Sequence, residues 1–115
     1  MLDLAIPERI RDIAEEPVIL LCHEPDFADR VVERRLNQTV ALMLSGHTHG
    51  GQVRLPLYGP LILPPNGQKY VEGWFRFGKM QLHVNRGLGT VGVPFRFDCP
   101  PEISVITLNR AGRAA

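Results

Sequence analysis

Two short, uninterrupted apolar runs constrain this chain most, and each stops at a histidine. Pro17-Val18-Ile19-Leu20-Leu21-Cys22 ends at His23-Glu24-Pro25-Asp26, and Val40-Ala41-Leu42-Met43-Leu44 ends at Ser45-Gly46-His47-Thr48-His49-Gly50-Gly51-Gln52. Continuous rather than alternating apolar runs, punctuated by Pro and Gly, read as strands buried in a parallel sheet. Between them lies a helix-like stretch reaching to about Leu36, with Asp26 as its N-cap and Phe27, Val31 and Val32 on its buried side. Strand, helix, strand predicts two adjacent parallel strands over 18–22 and 40–45. Their C-terminal tips then lie together, where open α/β sheets build their sites.

That placement brings His23, His47 and His49 to one end of the sheet. Neutral imidazoles at a rigid, Gly-flanked turn are the raw material of zinc, manganese or iron sites. The competing reading is a polar turn whose histidines only meet water; the flanking glycines and the buried strand ahead weigh against it. Glu24 can orient a neighbouring imidazole or simply face solvent. His83 falls on the polar side of Met80-Gln81-Leu82-His83-Val84-Asn85, away from the apolar positions, and is a weak ligand candidate.

The remaining segments have simpler readings. Leu4 to Glu16 has Ile6, Ile10 and Ile13 at helical spacing. Gln52-Val53-Arg54 reads as a short strand before a Pro/Gly-rich loop over 56–67 that carries Leu57, Tyr58, Leu61 and Leu63. Such an apolar loop packs on the sheet or lines a pocket for a greasy substrate. Residues 70–77 and 80–85 form a hairpin about Gly78-Lys79, and 103–108 read as a final strand before a frayed tail.

At its motifs the chain resembles the calcineurin-like metallophosphoesterases, in the branch of bacterial phosphodiesterases and UDP-diacylglucosamine pyrophosphatases. The resemblance rests on Leu20-Leu21-Cys22-His23-Glu24-Pro25-Asp26, Leu44-Ser45-Gly46-His47-Thr48-His49-Gly50-Gly51-Gln52-Val53 and Leu55-Pro56-Leu57-Tyr58-Gly59-Pro60. It continues in Asn85-Arg86-Gly87-Leu88-Gly89-Thr90 and Pro100-Pro101-Glu102-Ile103. It implies the C-terminal half of a four-layer α/β/β/α sandwich, with the later β segments building the second sheet. It also implies a phosphodiesterase or pyrophosphatase with two divalent ions (Mn, Zn or Fe), about 3.5–4 Å apart, that activate a water and hold phosphate oxygens. Carried over by motif position, His23 and His47 bind one metal and His49 the other. Arg86 pairs with a substrate phosphate through its planar fork or is a surface arginine at a β-turn.

The family's upstream motifs Asp-x-His, Gly-Asp-x-x-Asp and Gly-Asn-His-Asp/Glu do not occur in the sequence. The chain is therefore expected to be one partial phosphoesterase domain over 1–115, inactive alone, with the missing N-terminal half as its partner. No catalytic residue is assigned within it. The phosphoester substrate extends to a lipid-linked nucleotide, with a membrane surface reached through the missing region. Two other classes compete. A non-catalytic remnant or interaction module retains the fold without the chemistry. A mononuclear cupin needs a Glu soon after His-x-His, where Gly50-Gly51-Gln52 stands instead.

A formal net charge of +1 with scattered arginines gives no argument for nucleic acid, and Arg30, Arg34 and Arg35 read as a solvated helix face. Cys22 and Cys99 form no Cys-x-x-Cys pair, and Cys22 continues a buried strand. No apolar run reaches the ~18 residues of a membrane span and no signal segment is visible, which leaves the localisation, cytoplasmic or peripheral to a membrane, unassigned.

Overall fold

In the computed structural model, residues 16–110 are described; the helix expected over 4–16 falls essentially outside them. The two apolar runs form β1 (Val18–Leu21) and β2 (Val40–Ser45), parallel and adjacent, with Leu20 opposite Met43 and Leu21 opposite Leu44. Between them a 3-10 turn, Pro25–Phe27, leads into a short helix α1 (Ala28–Glu33). The helix is shorter than expected. Arg35 adopts a left-handed conformation at φ 56°, ending α1, and Leu36–Gln38 follow as a second 3-10 turn.

After β2 come a small antiparallel pair, β3 (Arg54–Leu55) and β4 (Gly59–Pro60), then the hairpin β5 (Gly73–Phe77) and β6 (Met80–Val84). The main sheet has the order β1-β2-β6-β5, with β6 parallel to β2 and antiparallel to β5. The protein is thus a small α/β fold with a mixed sheet. The expectation that the later β segments build a second sheet is corrected: β5 and β6 extend the first one. The hairpin shows only that its two strands pair with each other; β2 captures it because its far edge is otherwise unpaired. The expected strand over 103–108 is also corrected. That segment pairs with no neighbouring strand among the described residues.

One face of the sheet carries the core. Val40 and Met43 of β2, Met80, Leu82 and Val84 of β6, and Val18 and Leu20 of β1 pack against Phe27, Ala28, Val31 and Leu36. Tyr70 closes this layer, its ring edge-on to Phe75 and Phe77 at 5.0 and 5.3 Å. Cys22 is part of this core, where burial pushes its thiol pKa up and keeps it an apolar side chain rather than a nucleophile. The alternation along the strands puts Ile19, Leu21, Leu44, Trp74 and His83 on the opposite face, where Leu21 and Trp74 are largely open to solvent.

Asp26 does not cap the helix. Its carboxylate accepts hydrogen bonds from the main-chain N–H groups of Gln68, Lys69 and Tyr70 at 3.0–3.2 Å, strapping the segment after the apolar loop to the start of α1. Beside it, Asp29 accepts from Lys69 Nζ at 2.8 Å and from the Tyr70 hydroxyl at 2.6 Å. Burial works to raise the Asp29 pKa, but these two hydrogen bonds outweigh it and hold the carboxyl below its ordinary value. Asp26→Ala leaves three N–H groups without their acceptor and is expected to destabilise the fold by about 2–3 kcal/mol, the range for charge-assisted bonds at a partly exposed site. Chemical unfolding of the variant beside Asp26→Asn, which keeps an acceptor oxygen, checks this: the Asn variant should lose distinctly less.

Candidate metal centre

Three strand ends meet at one edge of the sheet. The parallel ladder runs on past the strands themselves, with Cys22 N donating to Leu44 O, Gly46 N to His23 O and Asn85 N to Ser45 O. His23, the His47 turn and the Asn85-Arg86 tip therefore stand side by side. The rings of His23 and His47 are in contact, with centroids 4.5 Å apart.

His47 is held by an outer partner. Its Nε2 lies 2.9 Å from Pro65 O. A carbonyl can only accept, so Nε2 carries the proton and the Nδ1 lone pair is left available, the arrangement usual for a metal-binding imidazole. His49 offers a different signal: its Nδ1 is buried without any hydrogen-bond partner. A buried nitrogen left unpaired is uncommon in a native fold and suits a coordination role. An open cleft of about 220 Å3 is lined by His47 and His49 with Thr48, Ile62, Leu63, Pro64 and Val91.

The turn itself is strained. His47 (φ 69°), His49 (φ 51°) and Gln52 (φ 54°) all occupy the left-handed region, as do Gly50 and Gly51. Each such non-glycine residue costs on the order of 1–3 kcal/mol and persists only where the surroundings enforce it. The surroundings here are tight. A Cβ on Gly50 would come 2.6 Å from Cys99 Sγ, and one on Gly51 would collide with Pro60. Thr48, buried, donates to Val71 O at 2.7 Å and accepts from Gly50 N at 3.1 Å.

Two residues that sequence reasoning passed over hold this turn. The fully buried Gln52 donates through Nε2 toward Val91 O, Val93 O and Phe95 O and accepts through Oε1 from Val91 N. Arg96 donates to His49 O. A polar residue directly after two glycines was the one available hint for Gln52; Arg96 has no local signal for this role, because His49 lies 47 residues away.

Arg86 is occupied. Its guanidinium lies 3.6 Å from Glu72 Oε2 and 3.8 Å from Glu102 Oε2, and its Nε donates to Pro100 O. Glu72 also pairs with Arg54 at 2.7 Å. His83 is buried although it sits on the face expected to be polar, because Trp74 stacks on it at 4.4 Å and Ser104 bonds its Nε2 at 2.7 Å. Among the described residues no group of three or more His, Cys, Asp or Glu side chains is arranged to hold a metal ion. His23 and His47 are thus in contact, and no third such side chain among the described residues joins them as a metal-holding group.

Comparison with known proteins identifies the class. The chain is 52% identical over 91 residues to the metallophosphoesterase YkuE of Bacillus subtilis, a match covering 79% of this chain and 30% of that protein. It is 36% identical over 95 residues to the phosphodiesterase YaeI of Escherichia coli, covering 83% of this chain and 33% of the relative. A Helicobacter pylori metallophosphoesterase is 34% identical over 96 residues, covering 83% and 24%. The chain belongs to the metallophosphoesterases and spans about a third or less of the length of these relatives. No family model and no solved structure matches it.

Proposed function

We propose that the chain supplies the histidine half of a dinuclear site in a metal-dependent phosphoester hydrolase, acting on phosphodiester or pyrophosphate bonds. The observation that carries this reading is the paired state of the strand-end imidazoles: His47 protonated on Nε2 by its bond to Pro65 O, touching His23, with the buried Nδ1 of His49 unpaired. Neutral imidazoles with one nitrogen fixed and the other free fit divalent zinc, manganese or iron. His23 and His47 would hold one ion and His49 the other. Bound there, the ions supply Lewis-acid polarisation of the phosphate and an activated water. The chain's own residues do the positioning. The ladder between the strand tips sets the spacing of His23 and His47, and the strained turn aims His49.

In the same reading the mixed sheet is one half of a four-layer α/β/β/α sandwich, and residues 1–115 are the C-terminal part of a phosphoesterase domain. The exposed second face, with Leu21 and Trp74, is where the other half would pack. The carboxylate ligands would come from that half. Arg86 could meet a substrate phosphate by giving up Glu72, which keeps Arg54 as a partner. Ile62, Leu63 and Val91 give the cleft an apolar wall, which favours a phosphoester with a greasy group such as a lipid-linked nucleotide. Relatives in Danio rerio and Bos taurus are described as transmembrane proteins with a metallophosphoesterase domain, which makes a membrane surface a natural setting. Among the described residues of this chain, no helix is long and apolar enough to cross a membrane.

A second reading, a non-catalytic remnant, is favoured by one observation: among the described residues no group of three or more His, Cys, Asp or Glu side chains is arranged to hold a metal ion. Titration with zinc or manganese separates the two. The 115-residue chain is expected to bind weakly, and a variant combining His47→Ala and His49→Ala to lose that binding. Equal binding by both proteins would assign the metal to other groups and leave the remnant reading standing.

A further inference from the structure

We infer that Arg96 is a positioning residue for the metal-binding turn: its guanidinium holds the His49 backbone in the conformation that presents the imidazole. The inference rests on the functional reading above and adds a residue to it.

Arg96 lies in the long connection after β6, 47 residues from His49, yet Nη1 donates to His49 O at 3.3 Å and to Cys99 O at 3.1 Å. Nη2 donates to Arg86 O at 2.7 Å and Nε to Gly89 O at 3.0 Å. One planar fork thus spans four main-chain carbonyls from the histidine turn, the tip beyond β6 and the segment at Cys99. A cation makes each of these bonds stronger than a neutral donor would. His49 needs such a hold. At φ 51° it sits where an L-residue with a Cβ is strained. Released, the residue relaxes toward ordinary φ and carries its ring away from the cleft. The other donors to His49 O, Gln52 N at 2.9 Å and the Cys99 thiol at 3.3 Å, are uncharged and bind within or beside the same turn. Among the hydrogen bonds described, it is Arg96 that ties that carbonyl to the β6 tip. Gln52 does the complementary work, fixing the 91–95 segment that delivers Arg96. Lysine could replace the charge of Arg96 but not its reach to four carbonyls.

The test is zinc affinity, measured by competition with a chromogenic chelator, for the 115-residue chain and for Arg96→Gln, Arg96→Lys and Arg76→Gln. Arg76, on β5, bonds only Gly78 O among the hydrogen bonds described and serves as the control. Circular dichroism reports the fold, and the imidazole 15N resonances of His49 report its ring. Arg96→Gln is expected to weaken zinc binding at least tenfold and shift the His49 resonances with the circular dichroism spectrum retained. Arg96→Lys should fall between, and Arg76→Gln should match the unaltered chain. If Arg96→Gln does not fold, Arg96→Lys decides: weakened binding in a folded protein supports the inference, and unchanged binding overturns it. Zinc bound equally by the unaltered chain and both Arg96 variants removes only the role of Arg96. An unaltered chain that binds no zinc removes the functional reading and, with it, this inference.

Discussion

His49→Ala, made in a protein completed by fusing this chain behind the N-terminal segment of a full-length relative such as YkuE, is expected to lower hydrolysis of an activated aryl phosphodiester by more than a hundredfold. Losing only an outer partner of a metal ligand typically lowers affinity or activity about 10–100-fold, and His49 is proposed as a ligand itself. The substitution should do little to the core. His49 lies in a 3-10 turn beyond β2, outside the packed cluster of Met43, Leu82 and Val31. Alanine at φ 51° remains strained, as histidine was, so the backbone gains nothing from the exchange. His49→Ala should therefore show a lowered kcat with a near-normal unfolding midpoint. Full activity would remove His49 from the site.

The second large effect concerns the chain by itself. Alone, it is expected to have no phosphodiesterase activity and to self-associate. The sheet face opposite α1 leaves Leu21 and Trp74 open, and the segment after Pro101 turns Ile103, Val105 and Leu108 to solvent. No strand among the described residues pairs with 103–108. Apolar surface next to an unpaired strand is a template for association. Among the described residues no three His, Cys, Asp or Glu side chains are gathered to hold a metal ion, so a tight dinuclear site should not assemble in the chain alone. Light scattering after gel filtration should show oligomers or aggregate for the chain, and a monomer with metal-dependent turnover for the fusion. A monomeric 115-residue chain that turns over an aryl phosphodiester would mean that its own acidic residues complete the site.

The parts of the fold legible in the sequence are those with a local cause. Continuous apolar runs bounded by Pro17 and Gly46 marked β1 and β2, and the intervening α1 made them parallel and adjacent. The Gly78-Lys79 turn marked the β5–β6 hairpin. What escaped depends on partners far along the chain. Nothing local to 80–84 tells that β6 joins β2, and a segment of strand-like sequence becomes a strand only when another edge meets it, which 103–108 lack among the described residues. Asp26 had the residue type and place of a cap, but its N–H partners lie 42–44 residues on. His83 occupied the polar phase of its strand, and only the arrival of Trp74 and Ser104 buried it. The candidate site divides the same way. The histidines and glycines were readable as a turn after a buried strand. Pro65 and Arg96, which hold that turn, come from loops whose course no local pattern encodes, and so do the carbonyls that Gln52 reaches.

The central claim is that these strand-end histidines serve a metal-dependent phosphoester hydrolase. Its most direct test is turnover of an aryl phosphodiester by the completed protein before and after a chelator strips divalent ions, followed by re-addition of manganese, zinc or iron. The account predicts that activity disappears with the metal and returns with at least one of these ions, and that it does not return in the protein carrying both His47→Ala and His49→Ala. Turnover that is indifferent to the chelator, or that returns equally in the double variant, would contradict it.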